Sequence, residues 1–151
     1  QNRDTDIFSS WGYEKMSVSR FWRKIPQRYN LIGTQCTTCG RYFFPPRTLC
    51  PECRRSGRIV NHKFSGEGTV VTYTVIRSAS DQFEYATPYV LAIIKLDEGP
   101  RLTAQVVCPP EEARIGMRVR GVFRRVAADG ESGVIHYGTK FVPVEGEDGL
   151  L

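Results

Sequence analysis

Four cysteines carry the most specific chemistry in the sequence. Cys36 and Cys39 form one Cys-x-x-Cys pair, Cys50 and Cys53 form a second, and the two pairs stand ten residues apart with "FFPPR" between them. Two such turns satisfy tetrahedral zinc, because each aims two sulfurs at one point and the loop between brings the turns together. Gly40 directly follows the first pair and permits a tight turn, and Pro51 stiffens the second. A redox centre needs only one Cys-x-x-Cys, at the start of a helix in a βαβ setting. Here both pairs lie in Gly- and Pro-bearing sequence. Disulfides need an oxidising compartment, and "QNRDTDIFSS" has no basic-then-apolar signal pattern. Zinc is the reading carried forward, with iron on the same four sulfurs left open. A four-cysteine site has no open coordination position and cannot activate water, so its role is structural.

Other groups make weaker cases. Cys108 ends an apolar run, and the chain offers only His62 and His136 as bases for it. Neither stands in a recognisable arrangement with it, so Cys108 reads as an inert, partly buried thiol and a Cys–His pair as an outlying alternative. Glu111 with Glu112 and Asp97 with Glu98 fall in expected turns, where solvated charge is the normal outcome. No independent enzyme emerges.

The formal net charge is +5 and unevenly placed: residues 1–65 hold 12 Lys/Arg against 4 Asp/Glu, and residues 66–151 hold 9 against 12. A basic front half suits an anionic partner, whether nucleic acid, a phosphorylated cofactor or an acidic protein face, or else a solvated surface. No stretch approaches the ~20 apolar residues of a membrane span, and the expectation is a cytoplasmic protein.

The elements that must position the cysteines are mainly β. "SVSRFWRKIP" places Val18, Phe21, Trp22 and Ile25 on one helical face, with Ser17 as cap and Pro26 as stop. Two turns do not hold themselves in water, so this aromatic face either packs back on the cysteine module or docks on a partner protein. From Gly66 onward the pattern changes to five strands: "GTVVTYTVI", "YVLAIIKL", "RLTAQVV", "RVRGVFRRVA" and "GVIHYGTKFVPV". The connector "PPEEARIG" turns the corner at Gly116. Five strands suit an OB-fold barrel. The expected organisation is an N-terminal helical segment (1–30), a zinc ribbon (31–65), an OB-fold (66–144) and a tail (145–151).

OB barrels and zinc ribbons both occur in single-strand nucleic-acid binders, the alternative function considered. Base stacking on such a barrel needs aromatics on its second and third strands. Those strands offer only Tyr89. The stacking platform is poor and this reading is the less favoured one.

The run from "RFWRKIPQRYNLIGTQCTTCGRYFFPPRTLCPEC" through "GEGTVVTYTVI" to "PYVLAIIKLDEGPRLTAQVV" resembles the domain of unknown function 35 (DUF35) family, over roughly residues 17–144. The order of helix, "F-P-P-R" between the Cys pairs, and barrel is the specific part. The resemblance implies N-terminal helices, a rubredoxin-like ribbon holding zinc on Cys36, Cys39, Cys50 and Cys53, a C-terminal OB-fold, and a non-catalytic role beside thiolase-like enzymes. It is nearest to archaeal members that bridge acetoacetyl-CoA thiolase and 3-hydroxy-3-methylglutaryl-CoA (HMG-CoA) synthase in the mevalonate pathway, which implies a coenzyme A site shared at the interface. Coenzyme A has an anionic ADP end and a thin pantetheine arm, so cations are needed at one end. Arg47, Arg20, Arg23 and Arg28 are the candidates, with Val18, Phe21, Trp22 and Ile25 for a partner enzyme.

Overall fold

The computed structural model describes residues 22–79, 83, 86–128 and 135–144. Among the described residues, the helix α1 (Ile25–Asn30) precedes eight strands: β1 (Ile32–Cys36), β2 (Tyr42–Phe43), β3 (Ile59–Lys63), β4 (Glu67–Ile76), β5 (Tyr89–Leu96), β6 (Arg101–Val106), β7 (Arg118–Ala128) and β8 (Ile135–Pro143). The architecture is mainly β, as the sequence implied. A three-stranded sheet of order β2-β1-β3 carries the cysteine loops, and a closed barrel of order β4-β5-β6-β8-β7 follows. No helix among the described residues is long and apolar enough to cross a membrane. The expected tail at 145–151 lies outside the described residues.

The barrel closes because alternate side chains of its strands converge. Val90, Ala92, Ile94 and Leu96 of β5 are buried, and Val70, Val106, Val119 and Phe141 join them from the other four strands. β5 pairs antiparallel with β4 and with β6, whereas β6 meets β8 in parallel at the single rung Val106↔Phe141. There the Val107 N–H donates to the Phe141 carbonyl at 2.7 Å. A register shift between Val70 and Thr72 bends β4 and re-aims its outer half. Gly116, at the expected corner, has φ of +86°, a conformation that suits glycine.

The expected helix over Val18–Ile25 is met differently. Val18 and Phe21 lie outside the described residues, Trp22 and Arg23 are helical, and a turn at Lys24 separates them from α1. Pro26 sits in the first turn of α1 instead of ending a helix. Proline lacks an N–H and has φ near the helical value, so the start of a helix tolerates it as well as the end.

Leu31 then terminates α1 in a left-handed conformation, its N–H donating to the Pro26 carbonyl, and turns the chain into β1. Its side chain joins Phe64 in the same buried cluster as the barrel interior. A Cβ on Gly121 would lie a tight 3.2 Å from Thr139 Cγ2 and in ordinary contact with Leu31 Cδ1 at 3.5 Å, so Leu31 packs over the Gly121 backbone. Thr139 of β8 donates through Oγ1 to the Arg28 carbonyl at 2.8 Å and fixes the end of α1 on the barrel.

Asp97 and Glu98, expected as solvated turn charges, are structural. Asp97 takes two hydrogen bonds from the Arg118 guanidinium, at 2.7 and 3.0 Å. That guanidinium beside it holds its carboxyl below the usual aspartate value. Glu98 accepts from the Ser65 N–H at 2.7 Å and ties the β5–β6 turn to the chain leaving β3. Which turn carboxylate finds a partner depends on strand register, which local sequence does not state.

Candidate metal centre

The two cysteine turns are built alike. In the first, the Gly40 N–H donates to the Cys36 carbonyl at 2.7 Å, and Gly40 adopts φ of +75°. In the second, the Arg54 N–H donates to the Cys50 carbonyl at 2.9 Å, and Arg54 takes the left-handed value of +49°. Each turn therefore curls back and leaves its two sulfurs on the inner side. The Cys53 N–H points at Cys50 Sγ, 3.5 Å away. Lacing between the turns sets their separation: Thr37 N–H donates to the Arg58 carbonyl at 2.9 Å, and the Arg58 N–H donates to Thr38 Oγ1 at 3.2 Å. Gly57 packs closely under the second turn: a Cβ there would sit a tight 3.0 Å from the Cβ atoms of both Cys50 and Cys53 and would press on them.

The sulfurs of Cys36, Cys39, Cys50 and Cys53 all lie within 4.8 Å of one another, and Cys39 Sγ is 3.6 Å from Cys50 Sγ. A tetrahedral ion with metal–sulfur bonds of about 2.3 Å needs sulfurs about 3.8 Å apart. The donor set and its spacing fit such an ion. All five cysteines of the chain are free thiols. Hydrogen bonding by the Cys39 backbone N–H draws Cys36 down to about 6. Cys53 is pushed up to about 12, chiefly by its hydrogen bond with the Cys39 side chain and then by burial. Four crowded thiols thus do not all ionise by themselves, and a divalent cation among them reverses that penalty. Cys36 and Cys50 are fully buried while Cys39 is exposed, so the cage sits at the rim of the ribbon.

The remaining candidates disperse. Arg47 leaves the loop between the cysteine turns, its N–H held by Thr34 Oγ1 at 3.0 Å and its guanidinium 5.8 Å above the Phe43 ring. Arg23 is exposed next to α1 and Arg28 is half-buried within it, on other elements than Arg47; Arg20 lies outside the described residues. Trp22 is 68% exposed and Ile25 is half-buried. Cys108 is half-buried, and burial pushes its thiol up, which suits the inert reading.

An aromatic group on the last hairpin is a feature that the linear sequence does not announce. Phe123 of β7 and Tyr137 of β8 stack at 5.2 Å with an interplanar angle of 11°, and Tyr29 of α1 meets Phe123 edge-on at 4.9 Å. Strand pairing sets Phe123 opposite Thr139 and Arg125 opposite Tyr137, making the two rings diagonal neighbours on one face. Phe123 is 53% and Tyr137 38% exposed, and the outward face of β5 and β6 holds Tyr89 alone among aromatics, as expected.

Comparison with known proteins decides the family. Residues 23–59 match the family profile "ChsH2, rubredoxin-like zinc ribbon domain", and residues 61–124 match "ChsH2, C-terminal OB-fold domain". A "DUF35 domain-containing scaffold protein" of Methanothermobacter thermautotrophicus is 53% identical over 125 residues, covering 82% of this chain and 94% of that protein. The chain belongs to the DUF35 family. A second DUF35 scaffold protein, from Methanocaldococcus jannaschii, is 52% identical over 133 residues, covering 87% of this chain and 94% of its own length. Among solved structures, that of the "Ltp2-ChsH2(DUF35) aldolase" superposes with a TM-score of 0.63 at 30% identity, over 82% of this chain and 90% of that one. The DUF35 zinc-ribbon match contains all four cysteines, and the DUF35 OB-fold match begins at β3 and ends within β7.

Proposed function

We propose that this chain is a non-catalytic scaffold subunit for acyl-CoA-handling enzymes. In this reading it bridges acetoacetyl-CoA thiolase and HMG-CoA synthase in the mevalonate pathway and helps form a shared coenzyme A/pantetheine site. The observation that carries the proposal is likeness along nearly the whole length of relatives named scaffold proteins, at 53% and 52% identity. The superposed structure pairs a DUF35 protein with an aldolase by name, which supports an acyl-enzyme partner for this chain too.

Zinc on Cys36, Cys39, Cys50 and Cys53 is structural in this scheme, because four protein sulfurs leave no position for substrate or water. Reduced thiols are available to it in the cytoplasm, the proposed place of action. Residues 1–30 form the N-terminal helical segment, 31–65 the ribbon, 66–144 the OB-fold and 145–151 the tail. Val18, Phe21, Trp22 and Ile25 anchor a partner enzyme, and the 68% exposure of Trp22 supports docking over packing against the ribbon. Arg47, with Arg20, Arg23 and Arg28, supplies cations for the ADP end of coenzyme A.

A pull-down from the native host followed by mass spectrometry tests the proposal: recovery of a thiolase and a synthase supports it, and recovery of nucleic acid or ribosomal material supports the single-strand alternative. Phe21→Ala combined with Trp22→Ala is expected to weaken complex formation by several kcal/mol, since buried aromatic anchors dominate interfaces, with zinc content and melting temperature retained. Normal assembly by that variant removes the case for a docking helix.

A further inference from the structure

β5 is apolar on both of its faces. Val90, Ala92, Ile94 and Leu96 point into the barrel and are buried, while Tyr89, Leu91 and Ile93 point outward. An antiparallel strand with one solvated face alternates apolar with polar residues, and a strand covered on both faces reads as a continuous apolar run. The outward side of β5 therefore has the composition of a covered surface, yet Ile93 is 38% exposed.

Its neighbours extend the same character. Register places Ile93 between Thr72 of β4 and Thr103 of β6, and Leu91 between Thr74 and Gln105. Two successive rungs across three strands thus carry an apolar ridge flanked by hydroxyls and an amide, with no ionisable group. One rung further on, Lys95 stands between Thr69 and Arg101. Both cations are exposed, and neither is in an ion pair among the described residues.

We infer that this outward face of β4, β5 and β6 is a docking surface for a partner protein whose contact patch is apolar at its centre and carries carboxylates where it meets Lys95 and Arg101. A charge-depleted centre with a polar rim is the anatomy of a protein interface. The charge distribution selects a different protein over a second copy. The rungs from Leu91 to Lys95 hold two cations and no carboxylate, and the carboxylates beside them, Asp97 and Glu67, are held by Arg118, so a self-facing copy offers these cations no uncommitted partner. Burying an unpaired charge is costly. The inference deepens the scaffold reading and rests on it, giving a bridging protein a contact surface on its barrel.

The test titrates purified acetoacetyl-CoA thiolase and HMG-CoA synthase from the same organism against the full chain and its variants. Ile93→Asp is expected to weaken binding of at least one enzyme tenfold or more. Lys95→Glu with Arg101→Glu is expected to weaken the same enzyme, and Ile115→Asp, on the exposed connector before β7, to bind as the parent does. The double charge reversal lies on exposed positions and carries the test if Ile93→Asp lowers the melting temperature. Parent-like affinity in both variants overturns the docking surface and leaves the scaffold reading standing. A parent chain that binds neither enzyme overturns both. Self-association of the parent in light scattering, abolished by Ile93→Asp, assigns the face to a second copy and also overturns the inference.

Discussion

Cys36→Ser combined with Cys53→Ser is expected to abolish zinc binding and unfold the ribbon, while the parent chain returns one zinc per molecule by metal analysis. The two residues come from different turns, so the double variant leaves one sulfur in each, too few for a tetrahedral site. The ribbon sheet is small: β2 has two residues, and β1 and β3 have five each. So little sheet depends on its metal, whose binding free energy becomes folding free energy in modules of this size. Chelation of the parent should have the same effect and should harm assembly with partner enzymes. A double variant that keeps the ribbon's amide protection would contradict this account.

The second large effect concerns barrel closure. Phe141 is fully buried, forms the single parallel rung with Val106 and offers its carbonyl to the Val107 N–H. Phe141→Ala removes a buried ring at the seam that turns an open sheet into a barrel, and should cost about 3–5 kcal/mol. That is a large share of the roughly 5–15 kcal/mol that stabilises an ordinary domain. Urea unfolding measures it, and a loss below about 1 kcal/mol would show that the seam relaxes around the smaller side chain.

Much of the fold was legible because its signals are local. The cysteine spacing and Gly40 specify the first turn residue by residue, and the five barrel strands announce themselves by β-branched runs between turns. What was not legible depends on partners distant in sequence. Pro26 reads as a stop or a start equally well, and only the chain beyond it decides. Asp97 finds Arg118, 21 residues later, through the pairing of β4 with β7. Phe123 and Tyr137 become neighbours through the β7–β8 register, and Tyr29 reaches them only once Leu31 has turned α1 onto the barrel. The metal cage was fully visible as a set of residues. The outward face of β5 was visible as an apolar run, but which of its residues face out required the register.

The central claim is that this chain joins two enzymes, and size-exclusion chromatography with light scattering on the three purified proteins tests it most directly. The account predicts that acetoacetyl-CoA thiolase and HMG-CoA synthase elute separately without this chain and together in one species when it is added. Separate elution of the two enzymes, with this chain bound to neither, would contradict it.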